Sequence, residues 1–190
     1  MPDNQPPRTI EQRLRRLEDR EAIRELIARY GFAVDDRDVD GIAACFTRDG
    51  AFRSLDGTMN AQGRDAVIMQ FHGRFAVLGP SNHYTHDAVF SFDDANPDRA
   101  TGLVNSHAEV VRSGQAMWAS IRYRDEYLRN DGRWRFRDRL LAFFYYLAPG
   151  DYAGLLDDPL RNRAYAEPRP ADIPEQLPTW QSYYARHPRR

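Results

Sequence analysis

The residues able to do acid–base chemistry fall in a few short runs of this 190-residue chain. Asp35 and Asp36 follow the last apolar turn of a long helical pattern. A helix C-terminus carries negative partial charge, so an anion there is disfavoured and its pKa should rise unless a cation or donor compensates. A protonated His would compensate. An Asp–His pair would also fix the imidazole tautomer and leave the other ring nitrogen as a general base. Tyr30, roughly one and a half turns earlier, could offer a phenol to the same cavity. Asn82-His83-Tyr84-Thr85-His86 opens a strand-like stretch, and alternation sends His83 and His86 to opposite faces. In Asn105-Ser106-His107-Ala108-Glu109, the residues Asn105, His107 and Glu109 share one face.

Each signal has a structural alternative. Asp36 and Asp38 suit caps, and Asp35 alone suits a cap or surface acid. His86 and His107 suit a solvated sheet face, and Tyr30 suits the core. The sequence excludes other chemistries more firmly. Every basic residue is Arg, so Schiff-base catalysis and a P-loop lysine are ruled out. The single Cys45 sits in an apolar helix, which excludes an internal disulfide and a cysteine metal site. No nucleophile elbow and no glycine-rich nucleotide motif occurs, so no cofactor is expected. His83, His86 and His107 could supply three nitrogen ligands, but pairs three apart belong on helices or turns, and no metal is expected. The 27 basic and 28 acidic residues nearly cancel, which argues against nucleic acid or an anionic membrane as partner. No apolar run reaches ~20 residues and no signal peptide opens the chain, so a cytoplasmic protein is expected.

The elements that must position these residues read as α+β. Residues 1–8 are proline-rich and expected to be disordered. Thr9-Ile10-Glu11-Gln12 fits a capping box, and the apolar spacing then predicts a helix, in one or two segments, to about Val34. Asp38 caps a short second helix through Phe46, and Thr47–Gly50 reads as a turn. A hairpin is expected around Asp56-Gly57, then a helix over 64–77. From Ser81 the period becomes two, predicting strands near 83–92, 99–112, 115–128 and 133–147. In the last, Arg133, Arg135, Arg137 and Arg139 fall on one face, with Trp134, Phe136, Asp138 and Leu140 on the other. Seven of twelve prolines lie from Pro149 onward, interspersed with aromatics, which predicts an arm over 149–190 that wraps the 9–148 domain or a neighbouring subunit.

The run Glu21–Tyr30, then Val34-Asp35, then Asp38-Val39-Asp40, resembles the SnoaL-like family of the nuclear-transport-factor-2-like superfamily. The order helix–helix–hairpin–helix–meander matches over about residues 10–147, and the branch holding scytalone dehydratase, bile-acid 7α-dehydratase and hexachlorocyclohexane dehydrochlorinase is nearest. The resemblance implies a cone-shaped α+β barrel, a curved and mainly antiparallel sheet wrapped around a long N-terminal helix and two shorter ones. It implies a catalytic Asp at Asp35, its His partner at His83 and the dehydratase Tyr at Tyr30. It also implies a homodimer or homotrimer. His107 falls near a second pocket His of scytalone dehydratase. A second family Tyr corresponds to Phe52, which cannot donate, and an Arg of the bile-acid branch has no match among Phe143, Phe144 and Tyr145.

These readings together predict a cofactor-independent lyase of dehydratase type, acting on a small ring-bearing hydrophobic substrate. His83 abstracts a proton from carbon, Asp35 orients it, and Tyr30 donates. His86, Asn105, His107, Trp118 and Phe144 are expected to line the substrate pocket. An isomerase or polyketide-cyclase-like enzyme using the same residues, and a non-catalytic ligand-binding or assembly module, are the alternatives.

Overall fold

The computed structural model describes residues 9–188; the expectation for residues 1–8 lies outside this range. A single helix, α1 (Ile10–Asp35), opens the chain. Thr9 Oγ1 accepts from the Gln12 amide and the Gln12 side chain accepts from the Thr9 amide, which satisfies two donors a helix N-terminus leaves free. Ile23, Leu26, Ile27, Tyr30, Ala33 and Val34 form its buried stripe. Arg37 takes a left-handed φ of 61°, which ends α1. Asp38 then caps α2 (Val39–Cys45) by accepting from the Gly41 amide at 2.9 Å.

The remaining elements are β1 (Phe46–Ser54), β2 (Asn60–Gln62), α3 (Arg64–Phe75), β3 (Leu78–Phe92), β4 (Arg99–Arg112), β5 (Gln115–Asn130), β6 (Arg133–Leu147), the single turn α4 (Tyr152–Leu155) and α5 (Pro178–Arg186). The sheet order is β2-β1-β6-β5-β4-β3, antiparallel except where β1 joins β6. Ser113-Gly114 and Asp131-Gly132 have positive φ at both positions, the backbone that tight hairpins require. Residues 46–50 differ from the expected helix end and turn. They belong to β1, whose register with β6 is irregular between Phe46 and Ala51.

The inner face of the sheet packs on α1 to α3, and the core includes Phe46, Phe52, Phe71, Phe136 and Tyr127. The expected alternation along β6 fails at a bulge. Tyr127 pairs with Phe136 while Glu126 pairs with Asp138, so β6 carries one extra residue there. Side chains from Asp138 to Phe143 change face, until a second extra residue opposite Ser120 and Ile121 restores the first alternation. Arg139 therefore turns inward and is 1% exposed, and Asp138 turns outward to pair with Arg53.

After the sheet the chain runs back along the far end of β6. The Tyr146 amide donates to the Arg161 carbonyl and the Arg163 amide donates to Tyr146, both at 3.0 Å. The Asp172 amide donates to the Phe143 carbonyl, and its carboxylate accepts from the Phe143 amide. Buried Arg161 ties the segment down through the carbonyls of Phe144 and Ile173 and the Glu175 carboxylate. No helix among the described residues is long and apolar enough to cross a membrane.

Candidate active site

Asp35 is the last residue of α1, and β3 runs past it. Its Oδ1 lies 2.6 Å from His83 Nδ1 and accepts from Ser81 Oγ at 2.7 Å. Its Oδ2 accepts from the His83 amide at 2.7 Å. Both side chains of the pair are 12% exposed. A Cβ added at Gly31 would lie 3.9 Å from His83 Cβ, so β3 passes close to α1 at this point. Burial alone would raise the Asp35 pKa. The His83 ring, its charge, the Ser81 hydroxyl and the His83 amide together outweigh that and hold the carboxyl below its usual value.

Arg37 removes the difficulty of an anion at a helix C-terminus. Its guanidinium donates to the Val34 carbonyl at 2.7 Å and to Ser81 Oγ at 3.1 Å, and it bonds the Gly79 carbonyl. It also lies 4.4 Å over the Phe75 ring. The left-handed turn at Arg37 thus brings a cation to the negative helix end and anchors the serine that holds Asp35. With Asp35 ionised, Nδ1 carries the proton and Nε2 is left with a lone pair, which is the tautomer a general base needs.

Tyr30 is 5% exposed, and Phe46, Phe52, Phe71 and Phe136 surround its ring. It makes no hydrogen bond to Asp35 or His83. Neither its hydroxyl nor that of Tyr123 has a hydrogen-bond partner among the described residues, and burial raises the pKa of both phenols. Arg139 stands 4.4 Å over the Tyr30 ring and 3.7 Å over the Tyr123 ring. Its Nε is 3.5 Å from Asp125 Oδ1, an ion pair too long to be a good hydrogen bond. Nε and Nη1 of Arg139 and Oδ1 of Asp125 are buried without hydrogen-bond partners. Burial pushes Asp125 up to about 6 in spite of Arg139 and of the Tyr127 hydroxyl, which donates to it at 2.8 Å. The charges of Arg139, Asp125 and Asp35 all act on the Tyr123 phenol. Neither Tyr123 nor Arg139 is among the residues expected at the site, and Arg139 was expected on the face opposite Trp134 and Phe136. Alternation along β5 could have placed Tyr123 inside, but Arg139 is turned by the bulge.

Five expected pocket residues are not with the pair. His83 pairs with Ala108, so His107 points to the other face of the sheet. There His107 Nε2 is 2.5 Å from the Tyr145 hydroxyl, and the His86 and His107 rings are 6.3 Å apart. Asn105 Oδ1 accepts from Arg122 Nε at 2.9 Å. Trp118 packs on Tyr152 and Phe144 on Tyr145. His86, Asn105, His107 and Phe144, with Ile173 and Pro174, line an outer-face pocket of about 360 Å³. The strand register, which separates these residues from His83 by the thickness of the sheet, overturns their assignment to the His83 site. His83 and His107 therefore cannot chelate one ion, and no group of three His, Cys, Asp or Glu suited to a metal occurs among the described residues. Burial pushes the Cys45 thiol up to about 11, which makes it a poor nucleophile.

Comparison with known proteins places this geometry in a family. A hexachlorocyclohexane dehydrochlorinase from Novosphingobium barchaimii LL02 superposes with a TM-score of 0.63 at 21% identity, over 71% of this chain and 92% of that one. A scytalone dehydratase-like protein from Novosphingobium aromaticivorans gives 0.63 at 19% identity, over 80% and 97%. ActVI-ORFA from Streptomyces coelicolor gives 0.55 at 20%, over 65% and 95%. At these identities the likeness establishes the fold. No curated protein matches the sequence significantly. The model of the SnoaL-like domain matches residues 15–140, which is more than half of the sequence, and the chain belongs to that family.

Proposed function

We propose that the chain is a cofactor-independent lyase whose general base is His83. The observation that carries this reading is the 2.6 Å contact between His83 Nδ1 and Asp35 Oδ1. Three donors from β3, two of them on His83 itself, organise that carboxylate. A binding module has no use for such a coupled pair. In the proposed step Nε2 takes a proton from a substrate carbon. The electron pair of that C–H bond forms the new double bond, and the leaving group departs with its own pair. Asp35 stabilises the imidazolium that results. The unpartnered hydroxyls of Tyr30 and Tyr123 supply donors for a leaving hydroxyl or a developing enolate, and Arg139 supplies positive charge behind them.

The rings of Phe46, Phe52, Phe71 and Phe136 around Tyr30 support a small ring-bearing substrate. Positioned proton transfer contributes ~10²–10⁴-fold, and donors at the developing charge a further ~10²–10³-fold. Together these suffice for an activated C–H bond. The test is a screen of ring-bearing alcohols and halides by mass spectrometry, with His83→Ala as control. Loss of water or halide that vanishes in the variant supports the lyase. A product of unchanged mass that needs His83 would replace it with the isomerase or cyclase reading. Absence of any turnover that depends on His83 would leave the binding module.

A further inference from the structure

The pocket on the outer face of the sheet takes no part in the His83 chemistry, and two bulges build it. In β3, His86 and Asp87 lie between Thr85, which pairs with Ser106, and Ala88, which pairs with Val104, so two residues face the single Asn105. In β6, Phe144 is the extra residue between Phe143, which pairs with Ile121, and Tyr145, which pairs with Ser120. Between these two flanks lie Asn105 and His107 of β4 and Ser120 and Arg122 of β5, paired with one another. Each bulge adds a side chain to its flank, and the arm supplies an end wall. Ile173 and Pro174 line the same pocket of about 360 Å³. The bonds between Asp172 and Phe143, and those of buried Arg161 to the Phe144 and Ile173 carbonyls, hold that wall in place.

The polar groups of this pocket are mostly donors. Arg122 Nε donates to Asn105 Oδ1 at 2.9 Å, which leaves both Nη groups of Arg122 and the Asn105 NH₂ without hydrogen-bond partners among the described residues. Arg122 is half-buried and joins no salt bridge there. Asp87, the one carboxylate that lines the pocket, is exposed and does not pair with it. Burial pushes the Tyr145 phenol up to about 12, so it keeps its proton and donates to His107 Nε2 at 2.5 Å. The neutral His107 ring then carries its own proton on Nδ1, a further donor. The His86 ring stands 6.3 Å from it. Phe144, Ile173 and Pro174 provide the apolar surface. A guanidinium whose Nε is fixed presents its two Nη groups as a planar fork, which matches the two oxygens of a carboxylate. The volume lies at the small end of ligand pockets, which suits a single ring with a short arm.

We propose that the outer-face pocket is a second ligand site and that it binds a small aromatic carboxylate. The carboxylate takes hydrogen bonds from Arg122 Nη and the Asn105 NH₂, and the ring lies against Phe144 and Pro174. The site stands whether or not His83 is a base, because His83 projects from the opposite face of the sheet.

The probes are benzoate and benzamide, which share a ring and differ in the charge of the arm. Titration calorimetry on the full chain should show benzoate binding at least about tenfold more tightly than benzamide. Arg122→Met should remove that preference, and Arg122→Lys should keep part of it. Ser120→Leu fills the floor of the pocket and should abolish benzoate binding, with the melting temperature as the control for folding. In the wild-type chain, benzoate should shift the imidazole resonances of His86 and His107 and leave those of His83 in place, a readout that needs no variant. His83→Ala should bind benzoate as wild type does. Equal affinities for the two probes, a preference that survives Arg122→Met or Ser120→Leu, or no binding of benzoate at millimolar concentration overturns the site. Shifts confined to His83, or loss of binding in His83→Ala, would place the probe in the cone and overturn it as well. A subunit mass that falls in Ser120→Leu, with no benzoate bound by wild type, would make this face a contact between copies of the chain instead.

Discussion

Asp35→Asn tests the proposed mechanism with the least disturbance of shape. With its amide oxygen at the Oδ2 position Asn still accepts from the His83 amide, and Ser81 Oγ can turn to accept from the NH₂ at the Oδ1 position, so the local fold should survive. What disappears is the negative charge 2.6 Å from Nδ1. For charge centres about 4 Å apart at an effective dielectric of 20, the attraction to an imidazolium is about 4 kcal/mol. The pair keeps 12% exposure, so some of this is screened, and about 2–4 kcal/mol is a fair range. At about 1.4 kcal/mol per decade, the loss in kcat/KM is roughly 30- to 10³-fold. The tautomer preference is lost as well, because an amide NH₂ facing Nδ1 favours a proton on Nε2. The assay is kcat/KM for whichever compound the screen identifies, with the melting temperature as a control for folding. The Asp35 carboxyl is held below its unfolded value, so its contribution to stability is complete above about pH 4 and is lost as pH falls through the lower folded value. Asp35→Asn should lack that acid-side loss. Turnover within about threefold of wild type in a folded variant would refute the role given to Asp35.

Three further outcomes follow from the geometry. Tyr30→Phe removes a hydroxyl that has no hydrogen-bond partner among the described residues, so its melting temperature should stay close to wild type while kcat drops about 10- to 100-fold; unchanged kcat would remove Tyr30 from the donor set. Gly102→Ala would place a Cβ 2.8 Å from Tyr127 Cε2 and 2.9 Å from its hydroxyl, and should cost about 1–3 kcal/mol in urea denaturation. Asp125 is raised to about 6 by burial, so ionising it opposes folding, and wild type should gain stability relative to Asp125→Asn as pH falls from about 7 to 4. A difference in melting temperature that does not move with pH would show that the pair with Arg139 compensates its burial fully.

Much of this protein is local in origin and therefore legible in its sequence. The capping box at Thr9, the stripe from Ile23 to Val34 and the positive-φ turns at Ser113-Gly114 and Asp131-Gly132 depend on neighbours within a few residues. The Asp35–His83 pair was read from a carboxylate in an unfavourable place and from a family pattern, and folding brings the two into contact across 48 residues. The face of each strand residue was not local. Alternation told which residues share a face, but the register of β3 on β4 decided that His107 lies outside when His83 lies inside. The bulge in β6 opposite Glu126 and Tyr127 is a property of two paired strands, and no reading of β6 alone could have turned Arg139 into the cone. Helices and turns follow from short-range sterics and hydrogen bonds. The site also needs long-range pairing, in which one extra residue changes the face of the side chains beyond it as far as the next bulge.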